Sequence, residues 1–182
     1  YIFGNLSHLS ASEEGIGFLV RNLSQNYNGV PPILAKLGDV SYSGEISGYF
    51  TDLVTYGLLR TDIGSIRTDL KLSSDKAKGI FSYSGGVKTE NFGLGKLLND
   101  EKLGKTTFNL NVQGRHHDNQ RPTIVLKGLI AAIEYSNYTY ENITLDGEYI
   151  RGGFSGKAAI NDVNGSVLVN GSVNLTDKVP TF

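Results

Sequence analysis

The sequence predicts an all-β protein, an eight-stranded antiparallel up-and-down β-barrel with a short N-terminal appendage. Three observations carry that expectation. Apolar and polar residues alternate with period 2 along most of the chain after residue 38, the alternating runs recur at short and even spacing, and Gly, Asn-Gly or short polar segments separate them. At 182 residues the chain suffices for one well-buried main domain and is too short for several independent cores.

Residues 1–37 read as the remnant of an N-terminal subdomain. Ser10 or Ser12 can cap a short helix running through Glu13, Glu14, Ile16, Phe18 and Leu19, although Gly15 and Gly17 weaken it, and Pro31 and Pro32 break the chain before the barrel. The barrel is assigned to residues 38–182. Its first strand places Val40, Tyr42, Gly44, Ile46, Gly48 and Phe50 on one face, with glycine where a tightly bent strand leaves no room for a Cβ. Tyr49, Phe50 and Tyr56 fall in a long connection after it, where large aromatics either dock back onto the barrel or wait for a partner.

Ile66, Thr68, Leu70 and Leu72 alternate with Arg67, Asp69 and Lys71, turn at Ser73 to Lys76, and return through Gly79 to Gly85 as a hairpin. The stretch Asn91 to Lys105 holds Phe92, Leu94, Leu97 and Leu98 and reads as a helical turn or a lid-like loop. Phe108, Leu110 and Val112 start a second hairpin whose polar tip runs from Arg115 to Gln120 before the apolar run from Thr123 to Ile133. Residues 141–151, 153–161 and 165–175 supply the last strands, with Val163, Asn164 and Gly165 forming a tight turn. Strands starting near 38, 64, 77, 105, 121, 143, 153 and 165 make about eight; short hairpin-linked strands favour an up-and-down barrel or a sandwich, and eight is the size at which side chains just fill a barrel. Function is then expected on loops at the rim or on the appendage.

Composition removes several classes of activity. A net charge of −1 provides no basic field, so no nucleic-acid partner is expected. With no Cys there is neither a disulfide framework nor a thiolate nucleophile, and three His without Cys make a zinc site unexpected. No apolar run is long enough for a membrane-spanning helix. The start at Tyr1 reads as a chain whose targeting segment has been removed. Gly153, Phe154, Ser155 and Gly156 lack the nucleophile-elbow frame and lie in a strand pattern, and no glycine-rich run precedes Lys-Ser or Lys-Thr at a helix start. A non-enzymatic protein is expected. Seven Asn-x-Ser/Thr sequons follow from the high Asn, Ser and Thr content.

Two groups of residues have binding chemistry. His116 and His117, between Arg115 and Asp118 on the hairpin tip, can supply an imidazole to haem iron, or else stand as a solvated loop; no other cofactor and no metal are expected. His8 reads as a surface residue. Tyr135, Tyr138 and Tyr140, with Asn137 and Asn142, form an aromatic and polar patch suited to a protein or glycan partner, or else simply face a strand pair.

Val40 to Tyr49 (VSYSGEISGY), the hairpin from Ser65 to Tyr83, Gly152 to Gly165 with Gly152, Phe154, Gly156 and Ala158 or Ala159 matching a G-x-F-x-G-x-x-A pattern, and the closing run Val167 to Leu175 together resemble the β-barrel domain of the transferrin-binding protein B and factor H binding protein family, the Slam-exported bacterial surface lipoproteins. The resemblance covers residues 38–176. It implies a Gram-negative outer-membrane surface or secreted lipoprotein, lipid-anchored outside this chain and monomeric, that binds a host protein or surface component in colonisation or nutrient capture. The haemophilin branch of that family binds haem through histidine, which implies a haemophore as the alternative. A carbohydrate-binding module is the third reading.

Overall fold

A computed structural model of the chain describes residues 1–12, 14–15, 35–75, 77–117, 123–150 and 153–174. The protein is all-β. Ten strands form one antiparallel sheet in sequence order: β1 (Ile2–Ala11), β2 (Val40–Tyr49), β3 (Asp52–Thr61), β4 (Gly64–Asp75), β5 (Ile80–Phe92), β6 (Leu103–His117), β7 (Thr123–Tyr135), β8 (Tyr138–Ile150), β9 (Gly153–Asp162) and β10 (Gly165–Asn174), with one short helix, α1 (Leu94–Leu98), between β5 and β6. Among the described residues β1 pairs only with β2 and β10 only with β9, so the sheet has two edges.

The count of ten corrects the expected eight. The eight expected strands are β2 and β4 to β10; the two added are β1 and β3. The segment DLVTYGLLRT, taken for a long connection, is β3, and Tyr49 and Asp52 face each other across a two-residue turn. Its apolar residues fall on both faces, Leu53 and Leu59 on one and Val54 and Leu58 on the other, which erases the period-2 signal. Ile2 to Ala11, within the segment expected as an appendage, pairs with β2 around an irregularity between Leu6 and Leu9. Ser12 Oγ accepts the Gly15 N–H at 3.4 Å, and the helix expected through Ile16, Phe18 and Leu19 lies outside the described residues.

Cross-strand register gathers apolar rows on one face and most of the charged side chains on the other. Leu53, Leu72 and Tyr83 form one row, and Ile130, Ile143, Ile160 and Val167 form another. The opposite face carries Arg67, Asp69, Lys71, Lys88, Asn109, Asn111, Lys127, Asp146 and Lys157, all exposed. The apolar face is the less exposed one, so the sheet curls toward it. Glycine permits the curl. Gly156 has φ +156° and Gly48 φ +126°, and a Cβ at either would run into a backbone carbonyl of the neighbouring strand, Asp146 and Asp52 respectively.

The Asn91 to Lys105 stretch forms the expected helical turn and lies at one end of the sheet. Phe92 is only 2% exposed. Gly93 N–H donates to the Ile63 carbonyl at 2.7 Å and Ser136 N–H to the Lys102 carbonyl at 2.7 Å, tying this insert to the β3–β4 and β7–β8 turns. Asn99 stops α1 in the left-handed conformation at φ 58°. The buried hydroxyls Thr89 and Thr106 donate to the carbonyls of Ser65 (2.6 Å) and Ala132 (3.2 Å), so neither is left unpaired. Leu37, Leu110 and Ile143 complete the small set of buried apolar residues among those described.

Candidate functional site

Three surfaces combine exposure with binding chemistry, and the first lies at the corner where β1, β2 and β3 meet. Phe3 and Val54 both pair with Ser47, which sets them in one row of the polar face, and Tyr49 and Tyr56 share that face by strand alternation. Tyr1 meets Tyr49 edge to face with ring centroids 5.5 Å apart. Phe50 occupies the adjoining turn. Tyr1 is 78% exposed, Phe3 72%, Tyr49 61% and Phe50 72%, and Tyr56 and Val54 are exposed as well. The five rings present on the order of 600 Å² of apolar surface, at the upper end of what a monomer ordinarily leaves uncovered. Tyr49, Phe50 and Tyr56 were singled out in the sequence; Tyr1 and Phe3 were not, because only the β1–β2 register brings them there.

The tyrosines of the β7–β8 hairpin occupy a different end of the molecule. Ser136 and Asn137, at φ 50° and 66°, form the type I′ turn that sets Tyr135 opposite Tyr138, and strand alternation puts Tyr140 on the same face. Tyr138 and Tyr140 meet edge to face at 4.6 Å. The Tyr138 hydroxyl donates to Asp162 Oδ1 at 2.5 Å and accepts from Asn164 Nδ2 at 2.5 Å. Asp162 also accepts the N–H groups of Glu141 and Asn164, each at 3.0 Å. The Tyr138 hydrogen bond holds the Asp162 carboxyl below its usual range, aided by those N–H groups, and Asp162 in turn raises the Tyr138 hydroxyl. Tyr138 therefore fastens the β9–β10 turn to β8, leaving Tyr135 as the more open ring of the three.

His116 and His117 are the last two residues of β6 rather than part of a loop tip, and residues 118–122 lie outside the described set. They pair with Phe81 and Ile80, so as successive strand residues they project to opposite faces. One iron could take an imidazole from only one of them. His117 Nδ1 is buried and has no hydrogen-bond partner among the described residues. His8 is exposed at the β1 irregularity. Among the described residues no group of three His, Cys, Asp or Glu side chains stands ready to hold a metal, and no helix is long and apolar enough to cross a membrane.

The third surface was not anticipated. A shallow trough of about 370 Å³ crosses β4 to β8 on the polar face. The register explains why it escaped the sequence: its residues come from five strands and become neighbours only through cross-strand pairing. No family model matches the chain, and neither the curated proteins nor the solved structures give a match.

Proposed function

We propose that this chain is a non-enzymatic binding module of a bacterial surface-exposed or secreted lipoprotein, which captures a host-derived protein or surface component for colonisation or nutrient acquisition. One observation carries the reading: five exposed aromatic side chains and Val54 gather at one corner of a face whose other residues are mostly polar or charged, with apolar ones such as Val125 and Leu129 scattered singly. Large aromatics of this kind supply most of the energy at protein interfaces. The two-residue β2–β3 turn and the β1–β2 pairing hold the corner on paired strands, so little ordering entropy is lost when a partner docks. The resemblance of residues 38–176 to the transferrin-binding protein B and factor H binding protein barrels supports the bacterial surface setting. Fluorescently labelled chain is expected to bind host cells or a serum component saturably, with unlabelled chain competing; labelling that unlabelled chain fails to displace counts against the proposal.

The same reading includes a closed barrel. With ten strands in simple succession β1 and β10 run antiparallel to each other, the geometry an antiparallel closure needs. Spin labels on Gly4→Cys and Gly171→Cys, in a chain with no other Cys, are expected to report neighbouring strands; a long separation means the sheet stays open. Haem capture is the alternative. It would use His116 or His117 singly, and a Soret shift on haemin titration that His116→Ala or His117→Ala abolishes would put it first.

A further inference from the structure

We infer that the trough across β4 to β8 is a saccharide site, which adjoins the aromatic corner where Val54 pairs with Lys71 but shares no lining residue with it. Two cross-strand rows build it. One runs Lys71, Ser84, Gln113, Val125 and Glu148; the other runs Ser73, Ser82, Arg115 and Thr123. The half-buried Ser73, Ser82 and Thr123 form the floor, the exposed Lys71, Ser84, Gln113 and Arg115 border it, and the half-buried Glu148 lies at its far end. The depression exists because serine sits on adjacent strands at Ser73 and Ser82 and again at Ser84. Its volume of about 370 Å³ falls within the range of small-molecule sites.

The lining selects the ligand class. Four hydroxyls and one carboxamide each donate and accept, the guanidinium and ammonium donate, and the carboxylate accepts. The charges balance locally: Lys71 Nζ lies 3.3 Å from Asp52 Oδ1, while Arg115 and Glu148 supply one charge of each sign. A phosphate or nucleotide would require an excess of cations, and an apolar ligand would strand these polar groups without partners. A neutral polyhydroxylated ring matches both requirements, offering donors and acceptors around its rim and a C–H face to the exposed Val125. The trough is open to solvent and dominated by exchanged hydrogen bonds, which places the affinity in the millimolar range.

The test is a backbone amide NMR titration of the whole chain with methyl galactoside, methyl N-acetylglucosaminide and methyl mannoside, each to about 50 mM so that a ~1 mM site saturates. Saturable shifts are expected at Ser82, Ser84, Gln113 and Val125 for at least one sugar. Gln113→Ala with Arg115→Ala should weaken binding about tenfold, since each loses direct hydrogen bonds. Both side chains are exposed on the polar face, so the fold is retained, and an unchanged spectrum elsewhere verifies it. Absence of saturable shifts for all three sugars, shifts centred on Tyr135 instead, or binding that the double variant keeps would each overturn the assignment. None of those results bears on the aromatic corner.

Discussion

The ring of Tyr83 on β5 lies over Gly114, its cross-strand partner on β6, and fills the space where any larger residue would place its Cβ. Tyr42 and Phe154 likewise lie over Gly57 and Gly147, which are their diagonal neighbours on the adjacent strand. Each ring covers backbone that glycine would otherwise expose, and each glycine admits a ring that a side chain would push away. Burial accordingly raises the Tyr83 hydroxyl above the ordinary tyrosine range.

Gly114→Ala is therefore expected to destabilise the fold by about 1–3 kcal/mol, the usual cost of overpacking. The same change in a Tyr83→Ala background should cost much less, because the obstructing ring is gone. Urea unfolding of the four proteins in the cycle measures the coupling; additive effects would show that the ring and the glycine do not share this space.

The Tyr138–Asp162 contact sets a pH window. Asp162 is depressed in the folded state, so its contribution is complete above the ordinary carboxylate pKa of 3.8 and is lost as pH falls through the folded value. Tyr138 is raised, so its contribution is complete below the ordinary value of 10.0 and is lost as pH rises through the folded value. Asp162→Asn should thus be less stable than the parent at neutral pH and converge with it in acid. Thermal unfolding across that range reads the difference, and a gap that stays constant into acid would contradict the linkage.

At the end of the sheet that carries α1, Phe92→Ala is expected to cost about 3–5 kcal/mol, because the ring is almost fully enclosed. Gly93 and the α1 insert should loosen with it, so hydrogen exchange at the Gly93 and Ser136 amides should accelerate more than exchange in the middle of β7. Equal acceleration everywhere would mean that the insert does not open as a unit.

Much of this frame was legible in the alternation of residues. β4 shows Ile66, Thr68, Leu70 and Leu72 turned in and Arg67, Asp69 and Lys71 turned out, as their spacing predicts. β9 and β10 meet at the predicted Val163-Asn164 turn. β3 was hidden because apolar residues on both faces leave no period, and β1 because its register breaks at Ser7 and His8 among small polar residues. The candidate surfaces were less accessible to sequence reasoning. Tyr138 carries no mark that its hydroxyl is taken by Asp162, 24 residues away. The trough needs the register of five strands at once, and Phe3 joins Val54 only through Ser47 on the strand between them.

The proposed function turns most directly on the aromatic corner. Immobilised chain and a Phe3→Ser, Tyr49→Ser, Phe50→Ser variant, matched in circular dichroism and melting, are to be compared for retention of components from host serum and mucosal secretion. The parent is expected to retain a discrete component that the variant releases by at least tenfold, as loss of two or more aromatic anchors implies. Retention of the same component by both proteins, or of none by the parent, would contradict the account.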